Sequence, residues 1–132
     1  MSRVLVVDDS AVVRNYFSSI LQSAGYLVDE ATNGYEGVEK ALANSYSIFL
    51  VDINMPKMTG YEFVRQLRQV ENTAHLPVIM ISSEAGDEDK NEAYRAAANV
   101  YLTKPVKPEI LLAMVKLLTG WRLDSNVDQY LY

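Results

Sequence analysis

Four short runs in this chain are apolar without interruption: Val4-Leu5-Val6-Val7, Ile48-Phe49-Leu50-Val51, Val78-Ile79-Met80-Ile81 and Val100-Tyr101-Leu102. A strand with one wet face alternates apolar and polar residues, whereas a strand covered on both faces does not. Continuous runs rich in β-branched residues therefore predict the strands of a parallel sheet with helices on both sides. Tyr26-Leu27-Val28 is a fifth, weaker candidate.

Helix-period segments lie between the runs. Val13, Tyr16, Phe17, Ile20, Leu21 and Ala24 follow the spacing of one helical face. Asp9 or Ser10 caps this helix at its start and Gly25 ends it. Val38, Ala41 and Leu42 mark a second helix, and Gly60, Val64 and Leu67 a third. Asp87 to Ala97 form a fourth, with a stripe that is mostly alanine. Leu111, Met114, Val115 and Leu118 define a fifth, with Pro108 in its first turn. Strands alternating with helices predict an α/β fold with right-handed crossovers.

Composition agrees. A chain of 132 residues is the size of one domain, and its 49% hydrophobic and 22% charged residues suit a globular protein. With no Cys, neither a disulfide framework nor a zinc–thiolate site is available. No apolar run nears the ~18–20 residues of a membrane span, and no signal segment is recognisable, so a cytoplasmic protein without a membrane partner is expected. The net charge of −5 argues against direct nucleic-acid binding. The expected organisation is one domain over 1–118 with a short tail over 119–132.

The strand ends carry the chemistry. All strands of a parallel sheet end at one edge, and ligands bind outside it. The residues that follow the apolar runs are Asp8-Asp9, Asp52, Ser82-Ser83 and Thr103-Lys104-Pro105. Singly, each has an ordinary explanation: a helix cap, a turn, a solvated lysine. Together they crowd three carboxylates that repel unless a cation neutralises them. Oxygen ligands without His or Cys favour Mg²⁺. Lys104 adds a second positive charge and Ser82 a donor. The set points to phosphoryl transfer with a carboxylate nucleophile.

These residues resemble the receiver domain of two-component response regulators. The resemblance rests on Val-Val-Asp8-Asp9-Ser10, on Asp52-Ile-Asn-Met-Pro-Lys-Met-Thr-Gly60, on Ser82, and on Lys104-Pro105. It implies a flavodoxin-like (βα)5 doubly wound parallel sheet of strand order 2-1-3-4-5, an arrangement for which the chemotaxis member of the family is a standard example. It implies Asp52 as phosphoacceptor, and Asp8, Asp9, Asp52 and the Asn54 backbone carbonyl as Mg²⁺ ligands. Lys104 pairs with the phosphoryl group, Ser82 and Tyr101 form the switch, and Lys104-Pro105 is cis. The protein is then a signalling phosphoacceptor, not an enzyme beyond its own phosphorylation and dephosphorylation. Its implied partners are a histidine kinase or histidine phosphotransfer domain and a target met in trans, or a second copy in a homodimer, through helix 4–strand 5–helix 5.

The sequence departs from the family pattern in places. Ser stands at 82 where Thr is commoner, Ala97 and Val100 occupy a loop where glycine is frequent, and Val106 replaces an aromatic. A dehalogenase-like phosphatase would need an acid two residues after Asp52, where Asn54 stands. No Gly-rich fingerprint supports a nucleotide binder. The alternative kept open is a receiver-fold module that signals without phosphorylation. His75, the one histidine, reads as an exposed loop residue, so the phosphoryl donor is expected from a partner.

Overall fold

The computed structural model describes residues 2–83 and 86–120. The expected tail from Trp121 onward lies outside the described residues.

Ten elements alternate: β1 (Arg3–Val7), α1 (Ala11–Ser23), β2 (Leu27–Ala31), α2 (Gly34–Ala43), β3 (Ile48–Asp52), α3 (Gly60–Gln69), β4 (Val78–Ser82), α4 (Asp87–Arg95), β5 (Val100–Thr103) and α5 (Pro108–Leu118). The five strands are parallel in the order β2-β1-β3-β4-β5, the flavodoxin-like topology expected.

Why the runs are continuous is visible in the two cores. Leu5, Val7, Phe49, Val51, Val78 and Met80 point to one face, beside residues of α2, α3 and α4. Val4, Val6, Ile48, Leu50, Ile79 and Ile81 point to the other, with Phe17, Leu21, Leu111 and Val115 of α1 and α5. Neither side of the central strands is wet, so neither tolerates a polar residue. Fully burying each large aliphatic side chain stabilises the fold by about 1.5–3 kcal/mol.

Three features differ from the sequence reading. First, β2 runs on through Asp29 and Glu30 to Ala31, because at the sheet edge those acids find partners: Asp29 meets Arg3 at 2.7 Å and the Tyr46 hydroxyl at 2.6 Å. Second, α4 stops at Arg95, and Ala97 adopts the left-handed conformation (φ 67°) and is exposed, so Ala93, Ala96 and Ala98 form the buried set instead. Val100, in turn, lies within β5 and not in a loop. Third, Leu42 of α2 faces solvent.

Caps follow local chemistry. Ser10 caps α1, its hydroxyl accepting the Val13 N–H, so Asp9 is not the cap. Asn33 and Thr59 cap α2 and α3. Pro108 opens α5 and Gly25, at φ 95°, follows the end of α1.

Candidate functional site

Strand register sets the site. Val7 pairs with Val51, so the next residues, Asp8 and Asp52, stand level at the ends of neighbouring strands. Asp52 pairs with Ile81 and Ser82 with Thr103, which puts Ser82 one residue further out and Lys104 just past β5. One carboxylate oxygen each from Asp8, Asp9 and Asp52 falls within 4.8 Å of the others. Asp8 and Asp52 are buried, at 2% and 6% exposure, while Asp9 is exposed. Ser82 is fully buried and Tyr101 is buried in the core beneath α2, α3 and α4.

Each group is held. The Asp8 carboxylate accepts the Ser10 N–H at 2.9 Å, and its own N–H donates to the Ala31 carbonyl at 3.1 Å. The Lys104 ammonium donates to Asp52 at 3.2 Å and to Asp8 at 3.4 Å. The Lys104 N–H donates to the Ser82 carbonyl at 2.7 Å, and Lys104-Pro105 is cis as expected.

The loop after Asp52 packs from below. Met55 and Met58 are buried, Asn54 is exposed, and Lys57 takes a left-handed φ of 71°. The Gly60 N–H then donates to the Ile53 carbonyl at 2.8 Å. A Cβ at Gly60 would lie 2.5 Å from the Asp52 carbonyl oxygen, so only glycine lets α3 start this close to the strand end.

The electrostatics are those of crowded acids. Burial, and then the Asp8 charge, push the Asp52 carboxyl up to about 6, against which Lys104 pulls it down and Asp9 adds a smaller upward push. Burial works against the Lys104 charge, but Asp52 and Asp8 outweigh it, and its proton affinity ends above the ordinary lysine value. Three hard oxygen donors with an unmet need for positive charge fit a hard divalent cation such as Mg²⁺.

Two participants escape the sequence pattern. Arg14 donates from Nη1 to the Asp8 carbonyl at 2.7 Å and from Nε to Glu30 at 3.0 Å. The Tyr16 hydroxyl donates to the Val106 carbonyl at 3.0 Å, pinning the loop after Lys104 to α1. Tyr16 thus brings an aromatic ring from α1 against the loop that contains Val106.

The family model described as the response regulator receiver domain matches residues 4–116. The gliding motility regulatory protein of Myxococcus xanthus is 37% identical over 118 residues, which cover 89% of this chain and 15% of that protein. The DNA-binding dual master transcriptional regulator RpaA of Synechocystis sp. is 34% identical, over 89% of this chain and 49% of its own length. The chain therefore spans half or less of these curated relatives. Among solved structures, the chemotaxis protein CheY4 of Vibrio cholerae superposes with a TM-score of 0.86 at 38% identity, covering 89% of this chain and 98% of that one. The response regulator TrrA of Thermotoga maritima, solved in complex with Mg²⁺ and BeF, gives 0.81 at 30% identity, covering 89% and 99%.

Proposed function

Because this chain belongs to the response regulator receiver domain family of two-component signalling, we propose that Asp52 is its phosphoacceptor, charged by a partner histidine kinase or histidine phosphotransfer domain. The observation that carries this reading is the buried Asp52 carboxylate, 3.2 Å from Lys104 within the three-acid cluster. Asp8, Asp9, Asp52 and the Asn54 carbonyl would hold Mg²⁺, which would neutralise phosphoryl oxygens as charge develops on them.

The chain's own residues do the rest. An Asp52 carboxylate oxygen forms the new P–O bond as the donor's P–N bond breaks, and the imidazole leaves and takes up a proton. This requires Asp52 ionised, which a carboxyl at about 6 satisfies at neutral pH. Lys104, already within 3.4 Å of Asp8 and 3.2 Å of Asp52, pairs with the phosphoryl group. Ser82 donates its hydroxyl to a phosphoryl oxygen and Tyr101 follows, shifting a pre-existing equilibrium. A groove of about 390 Å³ lined by Val12, Tyr16, Pro105 and Val106 opens beside Lys104 and gives the donor an apolar rim to approach.

The signal leaves through α4, β5 and α5, where Tyr94, Ile110 and Leu117 are exposed. It is read in trans by a target protein or a second copy. The module acts in the cytoplasm, and no helix among the described residues is long and apolar enough to cross a membrane.

Acetyl phosphate with Mg²⁺ should add one phosphoryl group to the protein, read by intact mass. Asp52→Asn should abolish the addition. Labelling that persists in Asp52→Asn rejects the assignment, and a wild type that never labels favours the phosphorylation-independent module.

A further inference from the structure

Arg14 is charged, yet its side chain is only 13% exposed. Its guanidinium spans two partners: Nη1 bonds the Asp8 carbonyl at 2.7 Å and Nε the Glu30 carboxylate at 3.0 Å. Glu30 is itself fixed at both ends. Its second oxygen accepts the Ser18 hydroxyl at 3.1 Å, and its backbone carbonyl accepts the Lys40 ammonium from α2. A rigid fork between two fixed acceptors has little freedom to turn.

The Asp8 carbonyl belongs to the peptide that joins Asp8 to Asp9. Asp8 has other restraints, through Ser10 and Lys104. The Asp9 carboxylate makes no hydrogen bond or ion pair among the described residues, so its aim follows from the plane of that peptide. We infer that Arg14, braced by Glu30, is a positioning residue for the acid pair: it fixes the Asp8–Asp9 peptide and thereby directs Asp9 toward the cation site. This inference rests on the reading of Asp8 and Asp9 as metal-holding acids.

The competing explanation is that Arg14 and Glu30 merely tie α1 to β2. The two differ in what a conservative change does. Arg14→Lys keeps the charge, but a point-like ammonium cannot reach both acceptors in the fork's geometry. Loss of an outer partner that orients metal ligands weakens metal binding about 10–100-fold. A tie between elements, once weakened, lowers the melting temperature and leaves metal affinity alone.

The test titrates Mg²⁺ into unphosphorylated wild type, Arg14→Lys, Glu30→Gln and Asp9→Asn, following backbone amide shifts near residues 8–14, with thermal melts in chelator alongside. Arg14→Lys should weaken Mg²⁺ binding about tenfold, and Glu30→Gln should weaken it less. In the metal-free protein the amides of Asp9 and Ser10 should exchange faster in Arg14→Lys. Should Arg14→Lys fail to fold, Glu30→Gln, with the guanidinium still present, decides. Wild-type Mg²⁺ affinity in the folded variants, with only a lowered melting temperature, overturns the inference. Wild-type affinity in Asp9→Asn instead overturns the acid-pair reading beneath it.

Discussion

The Lys104 ammonium lies 3.2 Å from Oδ1 of Asp52, although the two residues leave the sheet from strands separated by β4. A cation carried across an intervening strand is what makes a buried carboxylate at the end of β3 tolerable in the metal-free protein.

Removing that cation should therefore be felt twice. Lys104→Ala should destabilise the metal-free protein at pH 8 by about 1–3 kcal/mol, since the ionised Asp52 loses its ammonium partner. It should also slow labelling by acetyl phosphate. Denaturant melts at pH 8 and pH 5 check the first point: the deficit should shrink at pH 5, where Asp52 takes up a proton.

The pH dependence of the wild type has a definite sign. Asp52 titrates at about 6 in the fold against an ordinary value of 3.8, so the folded state binds the proton more tightly than the unfolded chain. Its contribution is fully present below the unfolded value and is lost as pH rises through about 6. Above that the metal-free fold carries a penalty on the order of 3 kcal/mol. Asp52→Asn should flatten this part of the stability profile, and saturating Mg²⁺ should offset it by binding the ionised form. A wild-type profile in chelator that rises from pH 4 to 7 and keeps its shape in Asp52→Asn contradicts the burial argument.

Ser82→Ala should leave labelling of Asp52 largely intact and break its consequence. Hydrogen exchange with and without a phosphoryl mimic should show changes reaching residues 86–118 in wild type but confined near Asp52 in the variant. Identical, extended changes in both would remove Ser82 from the switch.

Ala97 holds a left-handed backbone without being glycine. Such a conformation costs an L-residue roughly 1–2 kcal/mol, and glycine relieves it at some cost in unfolded-state entropy. Ala97→Gly should raise stability by about 1 kcal/mol, read as an upward shift in the denaturation midpoint with unchanged slope.

How much was legible follows from where the constraint sits. The central strands announced themselves because both faces are buried and no polar residue interrupts them. The strand at the edge did not, since Asp29 and Glu30 look like a loop until Arg3, Tyr46 and Arg14 are seen beside them. The end of α4 misled because alanine favours helix, while the chain there is turned by contacts from elsewhere. The Arg68 guanidinium holds the Ala97 carbonyl at 2.8 and 3.0 Å. At the sheet edge, Asp8, Asp9, Asp52, Ser82 and Lys104 were readable as candidates because each ends a recognisable strand or follows one within two residues. Arg14 and Tyr16 were not: Glu30, which braces Arg14, stands 16 residues away and the Val106 carbonyl 90 residues from Tyr16, and Arg14's bond to Asp8 is to a backbone carbonyl that side-chain patterns do not show.

The strand order has a consequence for synthesis. β1 is flanked by β2 and β3, and β4 and β5 then add one after another to the same side. Each later strand therefore has its sheet neighbour already synthesised when it leaves the ribosome. The cation that quiets Asp52 arrives with the last strand, at residue 104. Until then a nascent chain carries its acidic strand ends without the lysine counter-charge.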